Sequence, residues 1–556
     1  MATQRVTLID PRHLRIDDLI LILLLSLLAL VPRTWELDAH GMQNDEQLWI
    51  SRSVILIQQV FNQQTPSDLV VPRLYWEQAH VNTFRDGSAL LPYQWPFNII
   101  MPTYHPGVPI SLAIGLGYLF LAEDTSSWSL NLDSVLAVSR YPEVVIGTLW
   151  AGLIYIGVVR LFVDRRAALL AALLVAVDPV AIGFSRLARL DMAAAVFMTG
   201  ALLSFLIAYQ SRLLRYAVLG GIFAGLALAT SPYFAFAIPV LLLIKLIYGP
   251  QGRMRRWWFT RYDWAFILAW GLVFLLFYPN LWPNPVSGFL QWVDIVLNSP
   301  HAVGKSESLA QRLYFWWAAP QRLLPHLLIL AIFGLLVGLA RPTWRRATWI
   351  MLAWWLVIVV LFTVPPANKY FRNYLLAMPP IFMLAGLCAS ALLGALGRPG
   401  TAWGRTLTAI LSAAFILGGL SATAAWWPYP QMHLWPWISD PQTWESPDIV
   451  AEGEGLREVV ALIRRENPDP AILAWTGENN IEFFHAPIFA EPIYEDEFNK
   501  LRGFDWLVVL PKSALVVRAD NPLSEWVRST EPTFIYRLNQ VELVRAYRLA
   551  DFFPRS

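Results

Sequence analysis

Asp45 and Glu46 stand side by side in the run His40-Gly41-Met42-Gln43-Asn44-Asp45-Glu46-Gln47-Leu48-Trp49, with Arg52 close behind. A carboxylate is the group that takes a proton from an acceptor hydroxyl. Lys369 and Arg372 lie three apart in Pro365-Pro-Ala-Asn-Lys-Tyr-Phe-Arg372-Asn-Tyr374, a spacing that puts them on one face of a helix. Fixed cations are what a departing phosphate needs. Three further groups carry charge: His105 in Tyr104-His-Pro-Gly-Val-Pro109, Arg140 in Ser139-Arg-Tyr-Pro142, and Arg186, Arg189 and Asp191 in Ser185-Arg-Leu-Ala-Arg-Leu-Asp191. A base in one place and cations in others suit the transfer of a group from a phosphate-linked donor to a hydroxyl. Each piece also has a plainer reading. The Asp-Glu pair reads as a solvated turn, and Lys369 and Arg372 as snorkelling side chains. Arg186, Arg189 and Asp191 read as a self-neutralising cluster between helices, His105 as a helix start and Arg140 as an interfacial anchor.

The elements that must position these residues are membrane spans. The chain has 556 residues, 56% of them hydrophobic and only 15% charged, where a soluble domain carries about 25% charge. Many of its 27 Trp and 19 Tyr residues lie at the ends of apolar runs, as the headgroup layer favours. A net charge of +2 gives no nucleic-acid signal, and Cys388 is the single cysteine, which excludes intrachain disulfides and cysteine-based metal sites. No nucleotide-binding glycine motif occurs. The first apolar run, near Leu19–Val31, follows Arg5, Arg12 and Arg15 and ends in Pro32-Arg-Thr-Trp35 with no small-residue cleavage site, which predicts an uncleaved span.

Runs long enough to cross a bilayer, about 20 residues each, fall near 17–33, 141–161, 166–184, 191–210, 216–230, 231–248, 264–281, 323–340, 347–365, 373–395 and 406–425, eleven in all. The further run 105–122 begins at Pro106 and Pro109 and is read as an interfacial or re-entrant helix in a long first outer loop, 34–140. Charge decides this. With eleven spans and a cytoplasmic N-terminus, the clusters around Arg160/Arg165/Arg166, Arg212/Arg215, Lys245/Arg253/Arg255/Arg256/Arg261, Arg341/Arg345/Arg346 and Arg398/Arg405 are all cytoplasmic. Asp45, Glu46, His105, Arg140, Asp191, Lys369 and Arg372 then share the outer face. Ionisable groups converging there from several spans form the kind of site a membrane enzyme needs.

Beyond Trp426 the sequence turns soluble in style, so residues 1–425 and 426–556 divide into a membrane domain and a small extracytoplasmic α/β domain. Residues 453–466 predict a helix, 471–475 and 505–510 strands, and 533–549 a hairpin turning at Asn539.

The order of these motifs resembles one family: an Asp-Glu pair after the first span, a His-Pro-x-x-Pro segment, an Arg opening the second span, Ser-Arg-x-x-x-x-Asp between the third and fourth, and a late Lys/Arg-Tyr segment. It resembles the GT-C glycosyltransferases of the protein O-mannosyltransferase type and their relative, the lipid A aminoarabinose transferase, over roughly 1–425. Tyr278-Pro-Asn-Leu-Trp-Pro283 looks like a further segment of prokaryotic members. The resemblance implies a GT-C fold of about eleven transmembrane helices and inverting transfer from a polyprenyl-phosphate monosaccharide. It implies Asp45 as the acceptor-activating base with Glu46 its acidic neighbour. Arg140, His105, Lys369 and Arg372 would serve the donor phosphate, and Arg186, Arg189 and Asp191 would position donor and acceptor. The implied partners are the lipid-linked sugar, a protein, lipid or glycan acceptor and membrane lipids, with no nucleic acid, in a multi-pass plasma-membrane protein. Gly107, Val108 and Pro109 depart from the mannosyltransferases' His-Pro-Pro-Leu-Gly-Lys, and Ser231 stands where many relatives have Lys. Tyr104 stands where the aminoarabinose transferase has an acidic metal ligand, so no equivalent metal site is expected; no cofactor is assigned, and a divalent metal elsewhere stays open.

The alternative is a polytopic transporter or lipid-linked-sugar flippase, which should show internal repeats and mid-membrane ionisable groups. The sequence shows no repeat and nearly charge-free span interiors. A third reading, a non-catalytic scaffold, requires that Asp45 and Arg140 be replaceable without consequence.

Overall fold

The computed structural model describes residues 15–37, 46, 49–50, 53, 93–94, 100–101, 107–121, 132–249, 259–278, 281, 285–298, 313–363, 371–397, 401–433, 455–468, 470, 472–475, 488–489, 503–509, 522–539 and 541–552. Asp45, His105 and Lys369 lie outside them.

A helix occupies each of the expected spans. In chain order these are α1 (Ile16–Thr34), then α2 (Val108–Leu121) in the first loop, α3 (Leu132–Phe162), α4 (Arg165–Val177), α5 (Pro179–Ser185), α6 (Asp191–Ser211), α7 (Leu214–Thr230), α8 (Ile238–Tyr248) and α9 (Arg261–Phe277). There follow α10 (Pro285–Asn298), α11 (Tyr314–Arg322), α12 (Pro325–Ala340), α13 (Pro342–Thr363), α14 (Met378–Leu396) and α15 (Ala402–Ala425). Among the described residues five helices are long and apolar enough to cross a membrane, and six if α4 and α5, bent by 56°, form one broken span. The shorter apolar helices α7, α8 and α12 fall at three further expected positions. The bend has a local cause. Asp178 caps α5, its Oδ1 accepting from the Ala181 amide at 2.8 Å, and Pro179 opens the new helix.

The bundle is sewn together by polar groups buried between helices. Trp150 of α3 donates to Thr199 of α6 at 3.0 Å. Asp164, the N-cap of α4, accepts from Ser390 of α14 at 2.8 Å. At one end Asp18 of α1 accepts from Tyr155 (2.9 Å) and Arg165 (2.7 Å), and Asp263 of α9 accepts from Tyr209 (2.6 Å) beside Lys245 (3.2 Å). The direction in which the chain runs through these helices puts Asp191, Arg186 and the end of α1 at the opposite end.

In the first loop the short strands β1 (Tyr93–Gln94) and β2 (Ile100–Met101) pair antiparallel. The C-terminal part holds a five-stranded sheet in the order β4-β3-β5-β7-β6, with β3 (Ile472–Trp475), β4 (Ile488–Phe489), β5 (Trp506–Val509), β6 (Phe534–Leu538) and β7 (Val541–Arg548). β3 is parallel to β4 and β5, while β7 is antiparallel to β5 and β6. Asn539 turns the hairpin with φ of 49°, a conformation its short polar side chain tolerates. The helix α16 (Leu456–Glu466) buries Leu456, Val459, Val460 and Ile463. Their cluster takes in Ile472, Trp506, Val508 and Val544, and also Trp426, Tyr429 and Met432 from the segment that leaves α15. The strand β4 and the helix α17 (Pro522–Ser529) were not anticipated from the sequence.

Candidate active site

Glu46 is completely buried and closes on Arg140. Its Oε2 accepts from Arg140 Nη2 and its Oε1 from Arg140 Nε, both at 2.8 Å, the paired geometry that makes guanidinium–carboxylate bonds strong. Oε1 also accepts the Ala188 amide at 2.8 Å, and Arg140 Nη1 donates to the Leu37 carbonyl at 2.7 Å. Four segments meet here: the chain leaving α1, residue 46, the N-terminal part of α3 and the loop between α5 and α6. The sequence reading gave Glu46 and Arg140 separate tasks. The structure joins them, because two opposite charges taken out of water are tolerable only when each satisfies the other.

Asp191 opens α6, where a carboxylate suits the positive end of the helix dipole. Its Oδ2 lies 3.2 Å from Arg189 Nε and its Oδ1 3.7 Å from Arg372 Nε. Asp191 and Arg372 keep 19% and 18% of their side-chain surface, against 3% for Arg189. Arg372 sits on the 3-10 helix Phe371–Ala377, which is held from below: Trp355 donates to the Tyr374 hydroxyl at 2.8 Å and Trp354 to the Leu376 carbonyl at 3.0 Å.

One residue of this neighbourhood was missed in the sequence. Glu143, fully buried on α3, accepts the Ala193 amide at 3.1 Å on Oε2, while its Oε1 has no hydrogen-bond partner. The N-cap of α6, Leu190, offers no side-chain cap, so Glu143 supplies one from another helix. It lies close enough to Asp191 for their charges to interact. The available signal was its spacing: three residues after Arg140, it shares that residue's helix face.

Arg186 is buried and reaches the end of α1. Its Nη1 donates to the carbonyls of Pro32 and Trp35 and its Nη2 to that of Glu36 (2.9 Å), closing the C-terminus of α1. Gly107, two residues after His105, adopts φ of +127° and donates to the Ala229 carbonyl at 2.6 Å. A Cβ there would lie 2.5 Å from the Trp49 ring and 3.1 Å from Leu190. Both the backbone and the space therefore demand glycine, and Gly107 itself packs against Leu190, the neighbour of Arg189 and Asp191. Of the sequence-predicted residues, Glu46 and Arg140 meet in one cluster, and Arg189, Asp191 and Arg372 in a second. Arg186 stands apart at the end of α1. Among the described residues no group of three or more His, Cys, Asp or Glu side chains could hold a metal ion.

Residues 128–282 match the family model of the dolichyl-phosphate-mannose-protein mannosyltransferases, a stretch that contains Arg140, Glu143, Arg186, Arg189 and Asp191. Among solved structures, the oligosaccharyltransferase of Archaeoglobus fulgidus in its apo form aligns with a TM-score of 0.50 at 13% identity, over 91% of this chain and 72% of that one. ArnT from Cupriavidus metallidurans bound to undecaprenyl phosphate aligns with a TM-score of 0.48 at 15% identity, over 94% of this chain and 97% of that one. No curated protein matches the sequence. The chain therefore has a helical membrane fold of the GT-C type, and its residues 128–282 are similar to the dolichyl-phosphate-mannose-protein mannosyltransferases.

Proposed function

We propose that this protein is an inverting glycosyltransferase that moves a monosaccharide from a polyprenyl-phosphate donor to a hydroxyl acceptor on the extracytoplasmic face. The observation that carries the reading is the pair of arginines, Arg189 and Arg372, drawn from distant segments to a partly exposed Asp191. The loose contact of Arg372 can be exchanged for a phosphate oxygen. The description of the matching family, dolichyl-phosphate-mannose-protein mannosyltransferase, supports a donor of this chemistry.

In this mechanism Asp45 takes the proton of the acceptor hydroxyl. The freed oxygen attacks the anomeric carbon from the face opposite the phosphate. The bond from that carbon to the phosphate oxygen breaks, and its electron pair stays on the oxygen. A phosphodiester with one negative charge becomes a polyprenyl monophosphate with two. Arg372, with Lys369 and His105, offsets the added charge, the kind of contribution that is largest in a site shielded from water. Glu46 and Arg140 hold the segment bearing Asp45 to the ends of α1 and α3. No nucleotide is needed, because the sugar arrives already on its lipid.

The test is incubation of the purified protein in lipid with a panel of radiolabelled polyprenyl-phosphate sugars and a membrane extract. One sugar should be transferred, and Asp45→Asn should slow this by about 10²–10⁴-fold, the usual worth of a general base. A donor consumed equally fast by Asp45→Asn would remove the base from that role. Consumption of no donor by the folded wild type would remove the transferase reading itself.

A further inference from the structure

The two sides of the Arg189–Asp191–Arg372 network belong to scaffolds far apart in the chain, and one short strap, residues 426–433, touches both. On one side the Trp427 indole covers Arg186, whose Cζ lies 4.0 Å from the ring centre. The same indole donates its N–H to Glu36 Oε2 at 2.9 Å. Arg186 begins the loop that ends in Arg189 and Asp191. On the other side His433 donates its Nδ1–H to the Arg322 carbonyl at 2.8 Å, and Arg322 Nη1 donates to the Gln431 carbonyl at 3.4 Å. The Arg322 guanidinium in turn lies 4.8 Å from the ring centre of Phe371, the residue before Arg372. Between the two arms the strap lies on α5 so closely that a Cβ on Gly183 would be 2.2 Å from the Gln431 amide nitrogen.

The strap is fixed from the other side as well. Trp426, Tyr429 and Met432 are part of the core of the sheet-bearing domain. The Tyr429 hydroxyl meets both oxygens of Glu458 (3.0 and 2.9 Å) and accepts the Gly455 amide at 3.1 Å. Asn539, at the hairpin turn, donates to the Ala425 carbonyl at 2.6 Å. The strap thus behaves as one arm of the C-terminal domain gripping the membrane bundle at two points.

We propose that Trp427 and His433 are positioning residues of the phosphate site: through Arg186 and through Arg322–Phe371, the strap sets the separation of Asp191 and Arg372. The inference rests on the function proposed above. Its physical ground is tolerance. Groups that recognise a ligand must be held to within about 0.5 Å, and Arg189 lies in the loop between α5 and α6 while Arg372 lies in the 3-10 turn at the very start of the span Phe371–Leu396. A C-terminal domain docked in this way governs donor affinity without touching the donor.

The experiment measures binding of undecaprenyl phosphate to the full chain in lipid nanodiscs, with turnover followed in parallel. Trp427→Ala should weaken binding about tenfold, near 1.4 kcal/mol, and raise the donor KM with kcat at saturating donor little changed. Trp427→Phe, which keeps a ring over Arg186, should recover most of the affinity. His433→Ala opens the second arm and should act in the same direction, so it carries the test if Trp427→Ala does not fold. Wild-type affinity in both folded alanine variants would overturn the proposal and leave the strap a simple tether. Failure of the wild type to bind undecaprenyl phosphate at all would instead overturn the underlying function, and this inference with it.

Discussion

Two ion clusters lie at the same end of the bundle and are built from the same residue types, yet they are closed to different degrees. In Glu46–Arg140 both side chains have no exposed surface and the contacts run from 2.7 to 2.8 Å. Around Asp191 the contacts are 3.2 and 3.7 Å and nearly a fifth of the Asp191 and Arg372 side chains is exposed. The first has the character of a keystone, since each partner depends on the other for its charge. The second has the character of a site, since a carboxylate–guanidinium contact that is long and wet can be traded for a phosphate. Burial, rather than residue type, separates the closed pair from the cluster proposed to bind the donor phosphate.

The largest effect should come from breaking the keystone. Arg140→Ala removes the buried cation from which both Glu46 oxygens accept, at a cost of about 3–5 kcal/mol. Thermal unfolding in detergent should show a strong destabilisation, and Arg140→Lys should restore it only in part, because an ammonium cannot reach both carboxylate oxygens in the same planar fork. Unchanged unfolding of a folded Arg140→Ala protein would erase the distinction between the two clusters.

Arg372→Ala should do the reverse. Its unfolding should stay near that of the wild type, while transfer from the lipid-linked donor falls by about 10²–10³-fold, the scale of losing one charge-stabilising donor. A loss of stability as large as that of Arg140→Ala would place Arg372 in the scaffold instead.

A smaller effect should appear with pH, and it bears on the strap between the clusters. Burial, with the Arg322 guanidinium adding to it, pulls His433 down to about 4, against the helping pull of its bond to the Arg322 carbonyl. The Trp426 ring also packs beside it. The unfolded chain therefore binds the proton more readily, and stability is full above the ordinary histidine value of 6.5 and falls as pH drops toward about 4. The loss is at most about 3 kcal/mol. Comparing unfolding at neutral and acid pH, His433→Gln should show the smaller pH dependence; an equal dependence would assign it to other groups.

Much of the fold was legible before any coordinates. Apolar runs marked where helices lie, because a bilayer demands length and hydropathy that few other settings produce. The hairpin at Asn539 and the helix ending at Glu466 announced themselves through alternation and amphipathic spacing, which are local properties. The candidate site was legible as a set of residue types and an order of motifs, and its partners were not. Nothing in the spacing of Glu46 and Arg140 says that they meet, and nothing near Arg186 in the chain points to Trp427. Glu143 offered only its place one turn beyond Arg140, and the Ala188 amide and Leu37 carbonyl, being backbone, offered no signal at all.

By itself, then, the sequence determined that this is a polytopic membrane protein with acids and bases gathered at span ends, because solvent and bilayer act on each segment independently of the others. Which of those charges neutralise one another, which keep a face open to a ligand, and how residues 426–433 bracket them were decided only by the tertiary structure. Those outcomes depend on burial and on distances of a few ångströms between segments that the chain itself holds far apart.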